Sequence, residues 1–338
     1  MNVDYLLSPC IEIRPKKACS DNCEGCLYSA NFSSKLQWSL IENQKQLLYL
    51  LKSIYTTKKW NNLLNIQFMD YLDIINIDEI LPFILWTRTL WFAINPNNIN
   101  NTLNFEKLWK IDDMLDEYIK EWKITRKPLL QLRMTNTKLD CKVYEFIDKI
   151  SYLNMEHYLL QFGSNKIDRK NFNKWFKDFF IFIERYFPRS KYNWEYFFSR
   201  SDKWFQVSII LNYNNKDIEL IYRNIYSDAD FTIQDYKDLI YNNQMPIVYS
   251  LFPDKVQFQH TSLSVNEKWA KVDYKKILET LIYIKENLWK IKSNFLKSDI
   301  ERLKNYIVQG KISKSFLEDN IEIFILNFIL RKWIYDLV

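Results

Sequence analysis

Apolar and polar positions along this chain follow two alternating rhythms. Short runs rich in β-branched and aromatic residues read as strands: Tyr5 to Ile13, Leu63 to Phe68, Leu90 to Ile94, Leu129 to Met134 and His157 to Phe162. Between them, apolar residues recur every three or four positions, as a helix with one buried face requires. Leu36 to Tyr55 does this through Leu40, Leu47, Leu48, Leu51 and Ile54. Asn104 to Trp122 does it through Phe105, Leu108, Ile111, Leu115 and Ile119. Ile77 to Trp86, Leu139 to Ile150 and Phe172 to Tyr186 complete the helical set. Strands separated by helices in this way predict an α/β fold with a parallel sheet and right-handed crossovers.

The rhythm changes after Tyr186. Trp204 to Leu211 and Ile218 to Ile225 flank Asn214-Asn215-Lys216-Asp217 and predict a hairpin near 204–225. Pro246 to Leu251 and Lys255 to His260 read as two short strands. From Tyr274 onward the pattern is helical, with a break near Gly310. Phe316 to Leu337 is apolar on more than one face, which predicts burial or a partner helix. The expected division is residues 1–265 as the sheet domain and 266–338 as a helical C-terminal extension.

Composition narrows the function classes. The chain has 338 residues, enough for a substantial core, and 17% are aromatic. Its net charge is +6, but Lys and Arg are spread along the sequence and form no basic cluster. Lys, Asn, Ile, Tyr and Phe are abundant together, a bias that an AT-rich coding sequence explains. Only three glycines occur, so neither a phosphate loop nor a G-x-G-x-x-G fingerprint can be built. No G-x-S-x-G elbow is present. No basic segment followed by an apolar core opens the sequence, and no apolar run reaches the ~20 residues that span a bilayer. The expected location is the cytoplasm, with no membrane partner.

Three of the five cysteines fall in one stretch, Cys19-Ser20-Asp21-Asn22-Cys23-Glu24-Gly25-Cys26. The spacing C-x3-C-x2-C, directly after the first strand, suits the ligation of an iron–sulfur cluster with one iron left open. Zinc is the other reading, with Cys10 as a fourth ligand if the loop folds back. Cys141 stands alone and reads as a small buried hydrophobe. Of the two histidines, His157 reads as packed or surface, and His260 as a residue that could face a site at strand ends. Asp70 and Asp73 follow a strand as a possible carboxylate pair. Trp175 to Phe187 reads as helical core, with a stacking surface for bases as the other reading.

A first strand, the three cysteines in the next loop, and then alternating helices and strands resemble the radical S-adenosylmethionine (SAM) enzymes. The resemblance spans Tyr5 to Leu211 by pattern and the cysteine loop by motif. It implies a partial (β/α)6 TIM-like barrel. It also implies a [4Fe–4S] cluster on Cys19, Cys23 and Cys26 and SAM on the open iron. SAM cleavage to a 5′-deoxyadenosyl radical and hydrogen abstraction from a substrate would follow. An electron donor such as flavodoxin or ferredoxin is implied as partner. By position at strand ends, the resemblance gives Asp70, Asn95, Arg133 and Thr135 to SAM, with Asn136, Gln161 and Asn165 nearby. The family's Gly-Gly-Glu segment is replaced by Met69-Asp70-Tyr71, and Gly25 stands where an aromatic residue is common. The substrate, whether peptide, nucleic acid or small molecule, has no signature. The alternative is a degenerate barrel, holding zinc or no metal, that binds protein or nucleic acid.

Overall fold

The computed structural model describes residues 8–14, 38–56, 63–85, 87–135, 137–155, 157–163, 172–200, 204–225, 246–258, 271–288, 290, 301, 304–305, 307–309 and 313–337. The chain is an α/β protein that divides into two units. The first comprises residues 1–15, 40–66 and 231–338, and the second residues 16–39 and 67–230.

In the first unit, β1 (Cys10–Ile13) runs parallel to β9 (Val248–Leu251). Strand β9 pairs antiparallel with β10 (Val256–Phe258), and β10 with β11 (Lys271–Val272). Helix α1 (Glu42–Tyr55) buries Leu47, Leu48 and Leu51 and packs with α6 (Tyr274–Glu286). Gln44 anchors the start of α1. Its Oε1 accepts the Ile41 N–H, while its Nε2 donates to the carbonyls of Arg14 (3.2 Å) and Leu251 (2.9 Å) at the ends of β1 and β9. Helix α7 (Lys314–Leu337) buries an unbroken run from Ile323 to Phe328 and then Leu330, Arg331 and Ile334. That is why its sequence shows no single apolar stripe. A buried hydrogen bond from Tyr55 Oη to Asn327 Oδ1 (2.6 Å) fixes where α7 docks.

The second unit carries strands in the order β2-β3-β4-β5-β8-β7-β6. They are β2 (Leu64–Tyr71, of which Leu64 to Ile66 count with the first unit), β3 (Thr87–Ala93), β4 (Leu129–Thr135), β5 (His157–Gly163), β6 (Trp194–Arg200), β7 (Trp204–Tyr213) and β8 (Lys216–Ile225). The pairs β3–β4, β4–β5 and β5–β8 are parallel, whereas β8–β7 and β7–β6 are antiparallel. Between the parallel strands lie α2 (Ile77–Ile84), α3 (Thr102–Lys120) and α4 (Cys141–Ile150), with α5 (Phe172–Tyr186) after β5. The N-cap side chains of α2, α3 and α4 are Asn76, Asn101 and Asp140, each accepting a backbone N–H of the first turn.

Register gives this sheet two unlike faces. One face carries Leu90, Phe92, Leu130, Leu132, Tyr158, Leu160, Leu220 and Tyr222, all buried. Phe179 of α5 packs on this side against Phe162 and Tyr222. The opposite face carries Gln131, Arg133, Gln161, Glu219, Arg223, Gln206 and Ser208 in neighbouring positions.

The predicted hairpin is β7–β8, closed by Asn214 and Asn215, both at positive φ. Two strands are not legible in the pattern. Strand β6 is an aromatic run without alternation, and β11 is too short to show a period. Cys141 corrects the expectation of burial, because it opens α4 on an exposed turn. The division into units takes residues 1–15 and 40–66 together with the C-terminal helices.

Candidate functional site at the strand ends

Consecutive parallel strands place their C-terminal ends along one edge, and the chemistry-bearing residues of the second unit lie there. Arg133 of β4 is flanked in register by Ala93 of β3 and Gln161 of β5. It is half-buried on the polar face. One position earlier on that face, buried Gln131 donates Nε2 to Gln161 Oε1 at 3.1 Å. On the far side of β5, Ile221 stands opposite Gln161, and Arg223 follows at the next position of that face. A guanidinium beside carboxamides, with its neighbouring position left small by Ala93, can take a carboxylate or a hydroxyl-bearing ligand.

Asn95 lies two residues beyond β3. Its Oδ1 accepts the Asn97 N–H at 3.0 Å and its carbonyl accepts the Asn98 N–H, so it closes the turn that leads into α3. Asp70 is buried, and its carboxylate accepts the Tyr71 N–H at 3.0 Å. Phe68 stacks on Phe92, with centroids 5.1 Å apart, so strand alternation sets Asp70 on the apolar side and Arg133 on the other. The backbone of Thr135 pairs with that of Gly163, and its side chain lies outside the described set. The strand ends thus bring the four positions to one edge, and alternation divides Asp70 from Arg133. Asp73, in the loop that follows, accepts from Asn101 Nδ2 through its Oδ2 at 3.2 Å.

The loop after β2 is held by a residue the sequence did not single out. Lys107 of α3 donates Nζ to the carbonyls of Leu72 (3.0 Å), Asp73 (2.6 Å) and Ile75 (2.7 Å). Burial lowers its pKa from the ordinary lysine value, opposed by the charge of Asp73. Three carbonyls converging on one ammonium fix the segment from Leu72 to Ile75 that follows β2. No local signal marks Lys107, because its partners are more than thirty residues away in sequence.

The first unit has its own polar group at strand ends. Glu12 of β1 is buried, and its Oε2 accepts from Ser250 Oγ of β9 (2.6 Å) and from Arg14 Nη2 (3.2 Å). The Arg14 guanidinium also lies over the Phe252 ring. Burial, and then the charge of Glu12, push the Cys10 thiol well above its ordinary pKa.

Cys19, Cys23 and Cys26 lie outside the described residues, as do His260, Asn136 and Asn165. The side chain of His157 also lies outside the described set. Among the described residues, no group of three or more His, Cys, Asp or Glu side chains is placed to hold a metal ion. No helix among them is long and apolar enough to cross a membrane. Comparison with protein-family models, curated proteins and solved structures finds no match for this chain.

Proposed function

We propose that this chain is a divergent radical SAM enzyme on a partial (β/α)6 barrel. The observation that carries the reading is the polar face of the parallel strands, where Gln131, Arg133 and Gln161 adjoin in register. These residues follow a C-x3-C-x2-C loop in sequence. The opposite face is apolar core, so the polar side chains gather on one side of the sheet. The donor set fits the implied groups in its chemistry. Three thiolates suit three irons, and a guanidinium with carboxamides suits the carboxylate and hydroxyl groups of SAM.

When bound, the cluster and SAM would supply the electron and the radical for hydrogen abstraction. The chain's own part is to bind and orient. Arg133 and Gln161 present donors on the polar face, and Gln131 holds Gln161 in place. Asn95 shapes the turn after β3, and Lys107 fixes the loop after Asp70.

The test is iron, sulfide and zinc content of protein purified without oxygen, followed by an assay for 5′-deoxyadenosine from SAM. About four irons and four sulfides per chain are expected. They should be lost on replacing Cys19, Cys23 and Cys26 by alanine and retained on replacing Cys10. Stoichiometric zinc, or iron unchanged by the triple replacement, overturns the reading. A second reading, a barrel that binds a partner without radical chemistry, is favoured by Met69-Asp70-Tyr71 in place of Gly-Gly-Glu and by the exposed aromatics of β6. It predicts iron-free protein that cleaves no SAM.

A further inference from the structure

Strand β6 ends the strand order of the second unit, and among the described residues no strand pairs with its outer edge. Edge strands ordinarily carry a lysine, a proline or a bulge to discourage further pairing. The sequence Trp194-Glu195-Tyr196-Phe197-Phe198-Ser199-Arg200 has neither lysine nor proline, and its ladder with β7 runs without a bulge from end to end. Its centre is instead three consecutive aromatics, with Tyr196 55%, Phe197 55% and Phe198 48% exposed. They point alternately to the two faces. Phe197 stands opposite Ser208, on the polar side, while Tyr196 and Phe198 flank α5 against Phe180 and Phe176.

We propose that β6 pairs antiparallel with β6 of a second copy of this chain, about a two-fold axis through Phe197. The occupant follows from the register. Two strands related by an axis normal to their sheet keep each residue on its own face, so a residue must pair with one an even number of positions away. Centred on Phe197, that rule sets Tyr196 opposite Phe198 at both ends of the aromatic core and Phe197 opposite its own copy. Glu195, the acidic residue of the strand, falls opposite the neutral Ser199. Cross-strand aromatic pairs are favourable and no like charges are brought together. Shifting the centre to Tyr196 sets Phe198 opposite Trp194, a ring already buried in its own chain, and the exposed Phe197 opposite Glu195; shifting it to Phe198 sets Phe197 opposite Ser199 and Tyr196 opposite Arg200, so each sets Phe197 against a non-aromatic residue.

The area sets the expected strength. A buried aromatic side chain covers roughly 150–250 Å², so three half-exposed ones supply about 300 Å² per copy. That is well under the ~800 Å² per partner of a standard interface, with the exposed flank of α5 adding to it. A dimer of modest affinity is expected, with a dissociation constant on the order of 10 µM.

Sedimentation velocity on the full chain across about 1–100 µM should show a monomer–dimer equilibrium. Phe197→Lys, a solvent-side change, should leave the far-ultraviolet spectrum unaltered and hold the protein monomeric. Cysteine cross-linking tests the register. Phe197→Cys faces its own copy at a separation that a disulfide can span. Ser199→Cys lies about 14 Å from its own copy. Under mild oxidation the first should form covalent dimer at least tenfold faster than the wild type, and the second no faster than the wild type. The proposal fails if the wild type remains monomeric throughout. It also fails if Phe197→Lys associates as the wild type does, or if the two cysteine variants cross-link alike.

Discussion

Glycine is so scarce in this chain that positions of left-handed backbone fall to other residues, among them Trp122, Asn214 and Asn215. Gly163 is the place where no substitute serves. It ends β5 at φ +115°, and a Cβ there would run into the carbonyl oxygen of Arg223 on β8. Gly163→Ala should therefore cost about 2 kcal/mol or more, read as a lower midpoint in urea unfolding. The sequence marks this glycine as the end of a strand. It does not reveal that the obstacle is a backbone sixty residues away. Arg133 and Lys107 make the same point for the site. Arg133 can be placed at a strand end from the pattern, while the three carbonyls that meet Lys107 cannot be.

Elements with a clear period are legible. Helices α3, α4 and α5 lie within two residues of the spans their apolar spacing predicts, because each packs one face on the sheet. The β7–β8 hairpin is legible from its Asn-Asn turn, since both central residues need positive φ and asparagine tolerates it. Glycine tolerates it better, and Asn215→Gly should raise stability by about 0.5–1 kcal/mol, measured in the same unfolding experiment. Strand β6 escapes because its aromatics do not alternate with polar residues. An edge strand with exposed side chains on both faces has no buried side to impose a period of two.

For the molecule, the decisive contrast lies between the two faces of the parallel sheet. Leu132 is fully buried beneath the helices, so Leu132→Ala should cost roughly 2–5 kcal/mol in unfolding free energy. Gln161, on the polar face, contributes a single side-chain hydrogen bond to Gln131, and Gln161→Ala should cost about 1 kcal/mol. If the polar row holds SAM as proposed, Gln161→Ala should also weaken SAM binding roughly tenfold in a calorimetric titration, whereas Leu132→Ala acts through stability alone. Equal losses of binding in the two variants would refute this separation of roles.

By itself, the sequence determined the class of fold and the order of most elements, because period and turn chemistry are local. It also showed the one close cluster of cysteines, Cys19, Cys23 and Cys26. Tertiary structure decided which face each strand residue occupies, since that depends on register with neighbours distant in sequence. It therefore decided that Arg133 adjoins Gln161 while Asp70 turns to the apolar side. It likewise set β8 beside β5, left β6 at the edge, and buried Glu12 between Ser250 and Arg14. Pairing across tens of residues is settled by the burial of whole faces, which no local pattern encodes.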